Sequence, residues 1–402
     1  MRKLTLAALL GSALVATGVQ AECDFDNPEP VSILANSFEA WKVVTDAMAE
    51  CGNFEAELDN EFRTKQPTAF ASSPSLYEIG GVSNSTITPL LNRDLIRPLD
   101  DLVAKYGDQV RPAQLIKFDG EVKAVAMMIN TQHLMYRTDI FDQLGLDVPT
   151  TWHEVLRAAE TIREAGVVDY PLGGTFQTGW NLGEEFVNIY LGYGGEFFNS
   201  SEPAVNNDNG VKTLELMKAL TEYMDPEYLV SDSTYVQQQF QQGKIAMANL
   251  WSSRAAAMNN EAESSVVGKV GMAAAPAVVD GGKPATTLWW DGIVIAKNLS
   301  DEAAENAFRV ALEGLDEDMV RKHREVAAWL VPGYEPTPLA KGAIESVQGG
   351  APSYPSRVEI GLMHTALGNN VADFLTGKQS AEATLRAIES DYRTAAEEQG
   401  LL

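Results

Sequence analysis

Residues 285–298 read Ala-Thr-Thr-Leu-Trp-Trp-Asp-Gly-Ile-Val-Ile-Ala-Lys-Asn. Two of the seven tryptophans of the chain, Trp289 and Trp290, stand side by side before Asp291 and Gly292, at the head of an alternating apolar run. An indole covers the apolar C–H face of a sugar ring, and a carboxylate or amide takes paired hydroxyls. Neighbouring side chains on a strand point to opposite faces, so one tryptophan can face a cleft while the other packs behind it. Asp291 would then accept from hydroxyls, and Gly292 would allow a close backbone approach. The alternative is an inter-strand Trp pair with Asp291 capping a turn.

Other residues fit the same chemistry. Trp251 ends the apolar run 244–251, and Trp180 sits in the polar stretch 174–185 with Gln177, Asn181 and Glu184 around it. Ser83 and Asn84 follow the short run Leu76–Ile79, where ordinary helix capping is the competing role. Asn36 ends the first apolar run; Glu39 falls in the first turn of the helix after it, where the dipole favours an acid in any case. Asn130, Gln132 and His133 follow the run 121–129, and His364 lies within 358–377. Arg254 and Arg357 could fork to a carboxylate, sulfonate or phosphate on a modified sugar, with surface ion pairing as the plainer account. Trp41 and Trp152 fall at helical core spacing and read as packing; Trp329 is undecided.

Enzyme signatures are missing. The sequence holds no GxSxG, HExxH, GxGxxG or Walker A run, so no catalytic residue, cofactor or metal ligand is assigned. Residues 205–216 faintly suggest a calcium loop, but Val205 and Leu216 occupy its first and last ligand positions. A pair of glycosidase carboxylates is not excluded by sequence, so an exported glycosidase stays as the rival class.

The first 21 residues have the layout of a secretory signal peptide: Arg2 and Lys3, an apolar middle, and Val19-Gln20-Ala21, with cleavage expected after Ala21. The expected compartment is the periplasm. Glu22 before Cys23 argues against lipid attachment. Cys23 and Cys51 are the only cysteines, and an even pair in an oxidising compartment reads as a disulfide. A strand over 31–37 and a helix over 38–51 have legs of similar length, roughly 20 Å each, which brings the two cysteines together. With 56 acidic against 30 basic residues, the net charge is −26, which repels nucleic acid and anionic lipid.

These residues are spread along an alternation of short strands and helices over 402 residues, which argues for α/β architecture and two domains. Strands are expected near 31–37, 76–79, 121–129, 244–251 and 292–296. Helices are expected after Thr86, over 152–165 with a Thr cap and Gly166 at its end, and through most of the last third. In such sheets ligands sit beyond the carboxyl ends of strands, where the polar and aromatic runs fall.

Residues 120–162, with Tyr136, Asp139, Phe141, Gly145-Leu146, Pro149 and Thr151-Trp152-His153-Glu154, resemble the signature segment of family 1 extracellular solute-binding proteins, the sugar receptors of ABC importers. Residues 240–253, 282–298 and 192–207 resemble further segments of that family, in the same order and spacing. The resemblance implies a two-lobe periplasmic binding protein fold, each lobe a sheet flanked by helices, with the ligand cleft between them. It implies lobe I over 22–131 and 288–333, and lobe II over 132–287 and 334–402. Trp251 matches an aromatic sugar contact, and Asn130 a position that is often acidic or amide. His364 replaces an aromatic contact of the maltose-binding member, which weakens a maltose assignment. The implied partners are a small carbohydrate and permease subunits in the inner membrane, with the receptor a monomer. The same fold binding a polyol, osmolyte or polyamine is the other alternative.

Overall fold

The computed structural model describes residues 23, 25, 27, 29–355 and 357–402. The signal-peptide reading of residues 1–21 lies outside them. The strands are, in chain order, β1 (Val31–Ala35), β2 (Phe54–Leu58), β3 (Ile79–Ser83), β4 (Leu115–Phe118), β5 (Glu121–Asn130), β6 (Gln132–Arg137) and β7 (Leu172–Gly173). They continue with β8 (Phe198–Asn199), β9 (Glu202–Pro203), β10 (Met247–Trp251), β11 (Val270–Ala273), β12 (Trp289–Ile295) and β13 (Ala328–Trp329).

Two main sheets divide these strands. The first runs β13-β5-β12-β3-β1-β2, with β4 also on β5; the second runs β11-β6-β10-β7; β8 and β9 form a small separate ribbon. Both main sheets are covered on two faces, and the alternation of side chains shows how. On β12, Ile293 and Ile295 pack with Trp41, Val44 and Phe308, while Val294 packs with Phe70, Ile87 and Leu90 on the other face. On β6, Leu134 joins one core and Met135 another. The fold is thus two α/β lobes, each a sheet flanked by helices.

The chain passes from one sheet to the other at Thr131, between β5 and β6. It returns between Ala273 and Trp289, and after β13 the closing helices Val358–Leu375 and Ala381–Glu398 pack on the second lobe. Three crossings therefore join the lobes. β12 runs antiparallel to β3 and β5, so its first residues lie beside their last ones: Trp289 opposite Asn130 and Asp291 opposite Ser83. This places Trp289 and Asp291 at the mouth between the lobes.

Local signals place the helices. Thr151 caps Trp152–Glu164 in a reciprocal box with Glu154, and Gly166 follows at φ 67°. Ser300 caps Asp301–Glu313. Residues 208–221 form a helix capped by Asn207, so the faint calcium loop is a helix start. Trp41, Trp152 and Trp329 are all core residues, the last donating its N–H to the His323 carbonyl at 3.0 Å. Cys23 and Cys51 are joined, with Cα atoms 4.8 Å apart.

Two expectations need correction. The strand expected over 76–79 is instead β3, Ile79–Ser83, and its interior is Gly80-Gly81. A Cβ on Gly81 would meet the Ala35 Cβ at 2.4 Å and the Trp41 ring at 2.7 Å, so the glycine lets helix and sheet close up. The polarity of the run hid a strand whose side chains are absent because there is no room for them. Gly292 likewise serves the sheet rather than a ligand: a Cβ there would lie 2.4 Å from the Val125 carbonyl oxygen, at an irregularity between β12 and β5.

Candidate functional site

A cavity of about 480 Å³ opens between the lobes. The first lobe supplies strand ends and the turns after them: Asn36 and Phe38 after β1, Asn60 to Arg63 after β2, Ser83 and Ser85 around the end of β3, Asn130 at the end of β5, and Trp289 and Asp291 at the start of β12. The second lobe supplies Gln177, Trp180 and Asn181 at the start of helix Trp180–Gly192. It also supplies Asp232 to Thr234 at the start of helix Ser233–Gln241, Trp251 at the end of β10, and Ser253 and Arg254 just after it.

Three indoles form one aromatic wall. Trp180 and Trp251 are near-parallel with centroids 6.4 Å apart; Trp289 meets both edge-on, at 5.5 and 5.8 Å. Tyr354 and His364 back this wall, at 4.3 Å from Trp289 and 5.1 Å from Trp180. Helix Val358–Leu375 can bring His364 so close because glycines face it. A Cβ on Gly183 would meet the His364 ring at 2.6 Å, and one on Gly368 the Gly179 carbonyl oxygen at 2.2 Å. His364 Nε2 donates to the Trp180 carbonyl at 2.7 Å, so Nδ1, 2.8 Å from the Tyr354 hydroxyl, accepts from it in the neutral ring. Burial pushes this imidazole down to about 4, which keeps it neutral. From the first lobe, the Arg63 guanidinium lies over the Trp180 ring at 4.8 Å.

Behind the wall runs a buried polar network across the hinge. Glu184 Oε1 accepts from the Thr287 hydroxyl at 2.7 Å and the Trp289 indole N–H at 3.1 Å. The Thr287 hydroxyl also lies 2.8 Å from the Asn188 Oδ1, Asn188 donates to Gln132 at 3.1 Å, and Gln132 donates to Glu185 at 2.9 Å. Burial drives Glu184 up to about 8 and Glu185 up to about 7, against the lowering by their hydroxyl and amide donors. Asn130 ties the lobes more directly: its Oδ1 accepts from the Ser252 hydroxyl at 2.9 Å and the Ser253 N–H at 3.3 Å.

Asp291 is half-buried and lines the cavity. Burial raises its carboxyl to about 7. A carboxylate that has lost water without gaining donors is ready to accept from a ligand. Trp290, on the opposite face of β12, packs with Phe70, Ile87 and Leu90.

Of the residues singled out by sequence, Asn36, Ser83, Asn130, Gln177, Trp180, Asn181, Trp251, Arg254, Trp289 and Asp291 line the cavity. Asn84 instead bonds backbone at Leu288 and Trp290, fixing the chain return at 3.1 and 2.8 Å. Gln132 and Glu184 belong to the hinge network. His133 is buried in the second lobe, and among the described residues neither ring nitrogen has a hydrogen-bond partner. Glu39 is exposed beside Lys42, and His364 lies behind Trp180 rather than in the cavity wall. Arg357 pairs with Glu359 at 2.8 Å on the surface, away from the cavity wall. Sequence reasoning missed the Asn60–Arg63 turn and Asp232–Thr234. The signal for the first was slight, because β2, Phe-Glu-Ala-Glu-Leu, is a half-exposed strand with no apolar run. The second showed only as an Asp-Ser-Thr cap before a helix.

The chain matches the family described as bacterial extracellular solute-binding protein over residues 53–312, and belongs to it. A probable ABC transporter-binding protein of Deinococcus radiodurans is 30% identical over 232 residues, 54% of this chain and 52% of that protein. A probable sugar-binding periplasmic protein of Rhizobium meliloti is 27% identical over 140 residues, 32% of this chain and 33% of that protein. The chain thus spans about a third and about half the length of these curated relatives. Among solved structures, an ABC transporter solute-binding protein from Agrobacterium radiobacter K84, in complex with ribitol, superposes with a TM-score of 0.81 at 21% identity, covering 92% of this chain and 99% of that one. A D-mannitol-bound counterpart from Agrobacterium vitis S4 gives 0.76 at 20% identity, covering 92% and 99%. A maltose-bound protein of T. maritima gives 0.76 at 18% identity, covering 91% and 100%. These likenesses fix the two-lobe fold.

Proposed function

We propose that this protein is the solute-capturing component of an ABC importer, which binds a sugar or polyol between its lobes, closes on it and delivers it to a permease in the inner membrane. The observation that carries this is the make-up of the cleft: three indoles from both lobes beside Asp291, Asn36, Ser83, Gln177 and Asn181, around about 480 Å³. Indoles cover C–H faces, and amides, hydroxyls and a carboxylate take hydroxyls, which is the chemistry of a polyhydroxylated solute. A ligand touching both lobes favours the closed state by its differential contacts. The moving bodies are residues 22–131 with 288–333, and 132–287 with 334–402, in a monomeric receptor exported to the periplasm. Relatives named as a probable sugar-binding periplasmic protein and a probable ABC transporter-binding protein, and similar structures holding ribitol, mannitol and maltose, support the solute class.

The glycosidase reading is weaker. It needs two carboxyls flanking the scissile bond. Glu184 is closed off behind Trp289; of the carboxyls that line the cavity, Glu61, Asp232 and Asp291, Asp232 caps a helix by accepting the Tyr235 N–H at 2.8 Å, and the fate of the bound compound decides whether the others act as a pair. The test is a thermal-shift screen of sugars and polyols, because a ligand at 100 times its dissociation constant stabilises by about 2.7 kcal/mol. The bound compound should come back unchanged after incubation. A hydrolysed product, or no stabilisation by any sugar or polyol, rejects the proposal.

A further inference from the structure

We propose that the solute carries one carboxylate, a sugar acid or polyol acid, with Arg63 as its counter-ion, Arg254 supporting from the other lobe, and Asp291 reading hydroxyls at the far end. This rests on the sugar-or-polyol reading above. The observation is a cation without an anion. Among the described residues Arg63 Nε is shut off from solvent with no hydrogen-bond partner, and the guanidinium lies over the rings of Trp180 and Phe62, at 4.8 and 5.6 Å. Arg254 spends one N–H on the Gln237 amide oxygen at 3.1 Å. Neither is ion-paired among the described residues, although the chain holds 56 acidic residues against 30 basic ones. The nearest charges, Glu61 for Arg63 and Asp232 for Arg254, act through space without pairing.

Arg63 and Arg254 are half-buried, and a guanidinium whose Nε is shut off from water while its outer nitrogens face a cleft favours an acceptor of its shape, which a carboxylate matches in a two-point fork. Glu61, Asp232 and Asp291 line the same cavity, yet among the described residues none pairs with either arginine, which leaves both forks open to an acceptor that arrives with the ligand. A dianionic phosphate fits less well, because Glu61, Asp232 and Asp291 also line the cavity and repel a second negative charge. A cationic solute fits worse still. It would have to meet Trp180 beside Arg63, and the centroid spacings of 5.5–6.4 Å leave no cage between the three indoles.

The experiment is calorimetry at pH 7.5 with matched pairs: D-galacturonate and D-galactose, D-gluconate and D-glucitol, a disaccharide acid and its neutral parent, and glucose 6-phosphate. At least one acid should bind about tenfold to a hundredfold more tightly than its neutral parent, the range for a charge-assisted contact. Arg63→Gln should remove the acid's advantage over its neutral parent, read as the ratio of the two affinities within the same variant, so that any change the variant makes to the neutral affinity or to melting cancels. Arg63→Lys should fall between. Equal or tighter binding of the neutral parents, or of the phosphate, overturns the carboxylate and leaves the receptor reading standing. A preference for the acid that survives Arg63→Gln overturns the role of Arg63. If no sugar, polyol or acid binds, the receptor reading itself fails and takes this proposal with it.

Discussion

Trp289→Ala is expected to lose both stability and ligand, and Trp290→Ala much less of either. From the sequence alone, the cleft-facing indole should be the expendable one for folding. The structure inverts this. Trp289 is only 5% exposed, packs at 4.3 Å on Tyr354, and gives its N–H to Glu184. Its truncation leaves a cavity in the core of the second lobe, at a cost of ~3–5 kcal/mol. Glu184 keeps the Thr287 hydroxyl, so the lost donor adds at the low end of roughly 1–3 kcal/mol. At about 2–4 °C per kcal/mol for a domain of this size, the melting temperature should fall by at least ~6 °C. Binding should weaken by about 2 kcal/mol or more, some thirtyfold, because a central aromatic contact is lost. Trp290 is half-buried against Phe70 and Ile87 and does not line the cavity, so its truncation should cost only ~1–3 kcal/mol of stability and leave affinity within a few fold. The assay is calorimetric melting with and without the ligand found by screening, plus titration of the folded fraction. If Trp289→Ala melts within 2 °C of the parent, or Trp290→Ala is the less stable of the two, the assignment of faces on β12 is refuted.

Glu184→Gln should become more stabilising, relative to the parent, as pH rises. The folded carboxyl is raised to about 8 from an ordinary value near 4.5, so the folded state binds more protons between those limits and the parent loses stability on going from pH 5 to pH 9. The amide keeps the acceptor for Trp289, and a melting difference that stays flat with pH would reject the buried, proton-bearing carboxyl. Asp291→Asn should weaken ligand binding about tenfold or more while leaving unliganded melting the same or, above about pH 7, higher, since the buried carboxyl is raised to about 7 and the amide carries no charge; unchanged affinity removes Asp291 from the site. Gly81→Ala should destabilise by more than the usual ~1 kcal/mol of a point change, because the added methyl meets Ala35 and Trp41, and equal melting would contradict that packing. Replacing both cysteines by Ser should cost ~3–4 kcal/mol for a separation of 28 residues, read as a lower denaturation midpoint, with the slope equal or steeper because the unfolded chain is no longer cross-linked.

How much of this was legible in the sequence follows from what kind of signal each element leaves. Strands buried on both faces, such as β1 and β5, announce themselves as apolar runs, and capped helices such as Trp152–Glu164 by their Thr and Glu. β3 was misplaced because close packing there demands Gly80-Gly81, and glycine reads as a loop. β2 carries two glutamates in five residues, so the turn after it, and Arg63 with it, left almost no trace. The aromatic part of the site was readable because tryptophan is rare and costly to expose. The arginine part was not, because a cation in a cleft and a cation on a surface look alike until their partners are known: Arg357 finds Glu359, and Arg63 finds no acid among the described residues. The sequence also does not separate a ligand contact from the groups that hold it. Gln132, Glu184 and His364 have the composition of binding residues, yet each lies one layer behind the cavity wall. That layer has its own consequence. Thr131 and Thr287 sit on two of the crossings, linked by the Thr131 hydroxyl donating to the Thr287 carbonyl at 2.9 Å, and Thr287 with Glu184 fixes Trp289. The indole at the floor of the cleft is therefore anchored to the segments about which the lobes turn. On the proposed function, a solute resting on Trp289 presses on the hinge itself, which gives binding energy a short route into closure.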